Sequence, residues 1–347
     1  MLLPKLFAPL LLAWACSAAD FLAPVEGDFT VRDFEFHSGE ILPELRLHYY
    51  TIGNPSATNV ALIMHGTGGS GTDFHSQMFG GELFGAGQLL DASKFYIVMP
   101  DAIGNGKSSK PSDGLRAKFP KYCYHDMVTA DYRLLNEHLG IKHARVVMGV
   151  SMGAMHTWVW GEMYPDFMDA LMPLASAPIQ IAGRNRLLRD MIMEPIRSDP
   201  EYNDGNYDHP IHGLQAAYYA LVMMTSSPLQ MQKLYPTRDA ADERFKQLTE
   251  AAMKRDANDM LYQFAASYDY NPEPELGKIK ARLTAVNSAD DEVNPPELGI
   301  LERTIKQVKN GRFVLIPIGP ETRGHGTHTV AKLWKQYLME LLQTNDR

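Results

Sequence analysis

The sequence predicts an α/β fold: a mostly parallel central sheet with helices on both faces, interrupted by a helical insertion. Three observations predict it. Short apolar runs rich in Val, Ile, Tyr and Phe alternate with longer stretches of helical periodicity, the pattern of strand and crossover helix repeated along a chain. Each apolar run ends in small or glycine-rich sequence. From about Ile179 to Tyr270 the strand signal stops and helical, polar sequence takes over, and a structureless loop of that length inside one domain is improbable.

The chain opens with "MLLPKLFAPLLLAWACSAAD": one lysine, an apolar run from Leu6 to Ala15, and small residues before Asp20. This is the layout of a secretory signal peptide over residues 1–19, too short to cross a bilayer, and it points to a periplasmic or secreted protein. Cys16 offers a lipoprotein anchor as the weaker reading, because Trp14 suits such a site poorly. Removal of the leader leaves Cys123, so no internal disulfide can form and the core must carry the stability.

In order, "FTVRDFEF" and "LRLHYYTIG" read as leading strands, followed by "NVALIMHG", "KFYIVMPDAIG", "ARVVMGVS" with its strand over Ala144 to Met148, and "DALMPLAS". "DMVTADYRLLNEHLG" is a helix, with Val128, Tyr132, Leu135 and Leu139 at helical spacing and Gly140 as its stop. "ARLTAVNSADD" and "GRFVLIPIG" supply the last strands, and "THTVAKLWKQYLMELL" closes the chain as an amphipathic helix. The core therefore covers 20–178 and 271–347, and 179–270 forms a helical lid. With 33 basic and 41 acidic side chains the formal charge is −8, which argues against a nucleic-acid partner.

The chemistry is carried by "GVSMG" at 149–153. A lone G-x-S-x-G is a weak signal, but here it follows a strand and runs into a helix beginning near Met152, which puts Ser151 on a strained strand-to-helix turn. A serine hydroxyl needs a histidine base, itself oriented by a carboxylate. Asp291, after "ARLTAVNSA", is the expected acid; Asp290 is the alternative, its other role being to cap the helix after Pro295 and Pro296. His325, between two glycines in "PETRGHGTHT", is the expected base in preference to His328. The pair His325 and His328 lacks further ligands nearby, so no metal site is expected, and no cofactor. An oxyanion hole needs two backbone N–H donors, and Thr67 in "MHGTGGSG" and Met152 are placed to supply them. "GNGKSS" at 104–109 looks like the end of a phosphate loop, but Asp101 stands where its first glycine belongs, and the segment reads as a bend.

On these residues the chain resembles the α/β-hydrolase superfamily, and within it the homoserine O-acetyltransferase family. The likeness runs through "GVSMGAMHTWVWGEMYPDFMDALMPLASAP", "HDMVTADYRLLNEHLGI", "RSDPEYNDGNY", "DANDMLYQFAASYDY", "SADDEVNPP" and "GHGTHT". It implies a lid over the site, a homodimer made through lid helices, and the nucleophile, acid and base at Ser151, Asp291 and His325. It also implies an arginine for an amino-acid carboxylate within "GRNRLLRDMI", which leaves Arg184, Arg186 and Arg189 open, with Arg189 preferred. Tyr218, Tyr219, Met223 and Met224 are candidates to line an acyl pocket, or simply to pack the lid.

Because the leader points to export and acyl-CoA is held in the cytosol, the expected activity is an exported serine ester hydrolase acting on a small-molecule ester. The alternatives are an acetyl-CoA-dependent acyltransferase of the homoserine type and a non-catalytic binding protein on the same fold.

Overall fold

The computed structural model describes residues 21–343. The leader expected over 1–19, with Cys16, lies outside them. β1 (Val25–Glu35) and β2 (Ile41–Gly53) pair antiparallel, and β2 pairs antiparallel with β4 (Phe95–Pro100). With β3 (Asn59–Met64), β5 (Val146–Val150), β6 (Ala170–Leu174), β7 (Arg282–Ser288) and β8 (Gly311–Ile316) they form one sheet of order β1-β2-β4-β3-β5-β6-β7-β8, parallel from β4 onward.

The helices are α1 (Gly80–Leu83), α2 (Tyr124–Arg133), α3 (Met152–Met163), α4 (Gly183–Arg197), α5 (Gly213–Thr225), α6 (Pro228–Leu234), α7 (Arg238–Ala252), α8 (Ala257–Ala265), α9 (Ile300–Thr304) and α10 (Lys335–Gln343). No helix among the described residues is long and apolar enough to cross a membrane.

Strand periodicity divides the core. Successive residues of β3 point to opposite faces, so Leu62 and Met64 pack with Val128 of α2 and Val159 of α3, while Ala61 and Ile63 pack with Leu83 of α1 and Leu338 of α10. Leu62 has no exposed surface, and trimming it to Ala would cost about 2–5 kcal/mol. Helices α4 to α8 stand between β6 and β7 and bury a core of their own, in which Leu188, Ile192 and Ile196 form an i, i+4, i+8 stripe facing Leu214 and Phe264.

Two elements differ from the sequence reading. β5 covers Val146–Val150, and Ala144 makes an isolated bridge to Met168. The closing helix begins only at Lys335; before it the chain makes two short 3₁₀ turns, because the Ala331 amide donates to the carbonyl of Met78 and the Trp334 indole to that of His328 (both 3.0 Å).

Candidate active site

From β3 the chain steps to β4 on one side and then to β5 on the other. In open α/β sheets, ligands bind outside the carboxyl ends of strands at such a reversal. Here β3 releases His65, Gly66 and Thr67, and β5 releases Ser151.

Ser151 has φ 52° and ψ −112°, a conformation that costs a non-glycine residue about 1–3 kcal/mol. Its neighbours permit it by having no side chains. A Cβ on Gly149 would stand 2.2 Å from the carbonyl oxygen of Gly153, and one on Gly153 would stand 2.1 Å from that of Met64. The turn is fastened by the Ser151 amide to the Leu174 carbonyl and the Gly153 amide to the His65 carbonyl, both at 2.9 Å.

Three of the sequence-predicted residues meet here. His325 Nε2 lies 2.8 Å from Ser151 Oγ, and His325 Nδ1 lies 2.9 Å from Asp291 Oδ2. With Nδ1–H donated to the carboxylate, Nε2 is left to accept the serine proton. Asp291 is buried and accepts from the amides of Val293 (2.8 Å) and Asn294 (3.2 Å) and from the Asn294 side chain (3.1 Å). Burial pushes this carboxyl up, but the His325 imidazole and the hydrogen bonds of His325 and Asn294 outweigh it and hold the carboxyl below its ordinary value.

Asp290 faces the other way. It accepts from Thr322 Oγ1 (2.9 Å) and the Gly324 amide (3.0 Å), so it ties down the loop carrying His325 and does not cap the turn after Pro295. His328 is not in this chain of hydrogen bonds. Its ring stands edge-on to His325 at 5.4 Å, and burial pulls its pKa down to about 3, which keeps it neutral.

Met152 follows the serine in the chain, and Thr67 lines the cavity into which the serine opens. Met152 is the first residue of α3, where an N–H has no intrahelical acceptor. In the loop after β3, the Gly68 amide donates to Asn105 Oδ1 and the Gly69 amide to the Gly66 carbonyl (both 3.0 Å), leaving the Thr67 amide without a protein partner among the described residues. The segment 104–109 is a bend, as its sequence indicated: the amides of Gly104, Lys107 and Ser108 all donate inside it or to Asp101, leaving no phosphate cradle.

Ser151 opens into a cavity of about 360 Å³ shared by core and insertion. Arg189 lines it, buried, with Nε donating to Asn185 Oδ1 (3.1 Å) and Nη1 to Ser267 Oγ (2.8 Å), and it has no carboxylate partner among the described residues. The other two arginines are engaged elsewhere, Arg184 with Glu292 at 2.6 Å and Arg186 with Asp190 at 3.1 Å.

Tyr218 and Tyr219 are not brought to this cavity. Tyr219 is held by Thr249 of α7 at 2.6 Å, and Tyr218 lies under the Arg255 guanidinium at 4.7 Å. Leu221 and Thr225, further along the same helix α5, line the cavity instead. Met223 points to solvent, and Met224 packs on the insertion core.

His65, Asn105 and Asn294 were not singled out from the sequence. His65 accepts from the Ala102 amide at 3.0 Å and bonds the Gly66 carbonyl at 2.7 Å, so that with Asn105 it sets the loop that faces Ser151. A second cavity of about 430 Å³ shares Asn185 and Val293 with the first.

The family model for the alpha/beta hydrolase fold matches residues 60–317. A probable acyltransferase of Methanothermobacter thermautotrophicus is 29% identical over 277 residues, covering 78% of this chain and 84% of that protein. A homoserine O-acetyltransferase of Haloferax prahovense is 32% identical over 204 residues, covering 53% of this chain; the match spans 48% of that relative's length, about half. Among solved structures, esterase E22 superposes with a TM-score of 0.80 at 20% identity, over 92% of this chain and all of that one, a likeness of fold. The match from β3 to β8, through the elbow and the insertion, makes this chain a member of the α/β-hydrolase fold family, with a resemblance to the homoserine O-acetyltransferases.

Proposed function

We propose that this protein is a serine acyl-transfer enzyme whose second substrate is an alcohol bearing a carboxylate, of the homoserine type. Ser151 attacks the carbonyl of an activated acyl donor while His325 takes its proton, and Asp291 holds the imidazole in the required tautomer. The amides of Thr67 and Met152 receive the developing oxyanion. His325 returns the proton to the leaving group, then activates the acceptor hydroxyl for the second half of the reaction.

The observation that carries the choice of acceptor is Arg189. A guanidinium is always charged, and burying one without an acid partner is unfavourable unless an anion arrives to pair with it. It lines the same cavity as Ser151. An amino-acid carboxylate on Arg189 would hold the hydroxyl near the acyl-enzyme, and the acyltransferase relatives support the same reading.

The expectation of water as acceptor rested on export, inferred from residues 1–19, and nothing among the described residues bears on it. Incubation with acetyl-CoA and L-homoserine separates the two. The proposal expects O-acetylhomoserine to form faster than free acetate; acetate released at an unchanged rate with and without homoserine would make water the acceptor and overturn it. A binding protein without catalysis would give neither product and would leave Ser151 unlabelled by a fluorophosphonate.

A further inference from the structure

Away from the Ser151 cavity, Cys123, His125 and Asp269 bring a thiol, an imidazole nitrogen and a carboxylate oxygen all within 4.8 Å of one another. Cys123 and His125 stand at the start of α2, in the core. Asp269 lies just beyond α8, where the chain returns from the insertion. Beside them is Glu162 of α3, whose Oε1 is 3.5 Å from His125 Nε2. The Glu162 side chain is only 8% exposed, and its Oε2 has no hydrogen-bond partner among the described residues. A buried carboxylate oxygen without a partner is unfavourable, and its place against an imidazole that shares a site with a thiol and a second carboxylate is the arrangement of a metal-bound histidine and its orienting acid.

From this geometry we infer a binding site for a zinc-class divalent ion, with Cys123, His125 and Asp269 as ligands and Glu162 as the carboxylate that orients His125. The S, N, O donor set suits Zn²⁺ with water in the fourth position. On binding, the Cys123 thiol gives its proton to solvent and the sulfur bonds the metal, whose positive charge offsets the Asp126 carboxylate beside Cys123. Burial pushes the free thiol up, so without a metal it is an inert, protonated group.

The ion would clip the return of the insertion to the core. That segment also holds Ser267, whose hydroxyl accepts from Arg189, and Tyr270, whose hydroxyl donates to the Ala177 carbonyl at 3.1 Å. The clip would therefore steady the support of Arg189 without touching the reacting atoms. The inference stands apart from the acyl-transfer reading, since its test reads the metal.

The test is titration of the full chain with Co²⁺ as a spectroscopic stand-in for Zn²⁺. One ion per chain is expected, with a thiolate-to-cobalt charge-transfer band that excess Zn²⁺ removes. Cys123→Ser should abolish the band. Asp269→Asn, at an exposed position where folding is not at risk, and Glu162→Gln should each weaken Zn²⁺ binding about 10- to 100-fold. Absence of stoichiometric binding in the parent, or a band and affinity unchanged in Cys123→Ser and Asp269→Asn, would overturn the assignment.

Discussion

Asp290 and Asp291 are adjacent in the chain and hold adjacent residues of one loop: Asp291 Oδ2 meets the His325 ring at 2.9 Å, while Asp290 Oδ2 accepts the Gly324 amide at 3.0 Å. Asp291 holds the imidazole and Asp290 positions the backbone that carries it. Their variants should therefore separate. Asp291→Asn should lower kcat on an activated acetyl ester by about 10⁴-fold, because the amide favours the wrong tautomer. Asp290→Asn leaves the orienting carboxylate in place and should cost at most about 10²-fold, through misplacement alone. Steady-state rates of the two purified variants check this; equal losses would merge the two roles.

The strain at Ser151 makes a second prediction. Glycine accepts φ near +52° without the steric penalty, so Ser151→Gly should be inactive and yet more resistant to urea by about 1 kcal/mol. Equilibrium unfolding of parent and variant decides. A variant less stable than the parent would mean that the serine conformation is not strained.

Arg189 should act on one substrate only. Arg189→Met removes a charge-assisted bond worth about 1.5–3 kcal/mol to a carboxylate. The KM for homoserine should therefore rise about 10- to 100-fold, while hydrolysis of an uncharged ester stays within a few-fold. Loss of both activities together, with circular dichroism unchanged, would place Arg189 in the chemical step and not in acceptor binding.

Much of the sheet was legible in the sequence because β-branched and aromatic runs bounded by small residues have few other uses. The antiparallel pairing of β1 and β2 was not, since periodicity says nothing of strand direction. At the site, "GVSMG" marked Ser151, but "ADDE" offered two neighbouring acids, and only the loop path shows which faces His325. Three arginines in "GRNRLLRDMI" were equivalent as letters; burial against Ser267 distinguishes Arg189. Tyr218 and Tyr219 were chosen for chemistry, whereas the rotation of α5 about its axis presents Leu221 and Thr225 to the cavity. The pairing of Cys123 and His125 with Asp269 is invisible along the chain because it depends on how the insertion returns.

Two buried histidines weaken the fold as the pH falls, while Asp131 and Asp259, whose carboxyls burial raises, act in the opposite direction. Burial pulls His156 and His328 down to about 3 from 6.5, so the unfolded chain binds protons that the folded chain refuses between those values. The histidine contribution is therefore full above about 6.5 and is lost with acidification, by about 1.4 kcal/mol per pH unit for each ring well inside that window. Asp291, whose folded value is lowered below 3.8, adds loss only at still lower pH. Urea unfolding at pH 7 and pH 5 should show that His156→Phe loses less stability on acidification than the parent does. A slope unchanged in that variant would mean His156 is not buried as the neutral ring.

The central claim is that Ser151 carries the acyl group. Rapid mixing with p-nitrophenyl acetate, an acid quench and peptide mass spectrometry tests it most directly. The account predicts a single acetyl adduct on the peptide containing Ser151, absent from Ser151→Ala, whose turnover is reduced by at least about 10³-fold. An adduct on another residue, or a Ser151→Ala variant that turns over as the parent does, would contradict it.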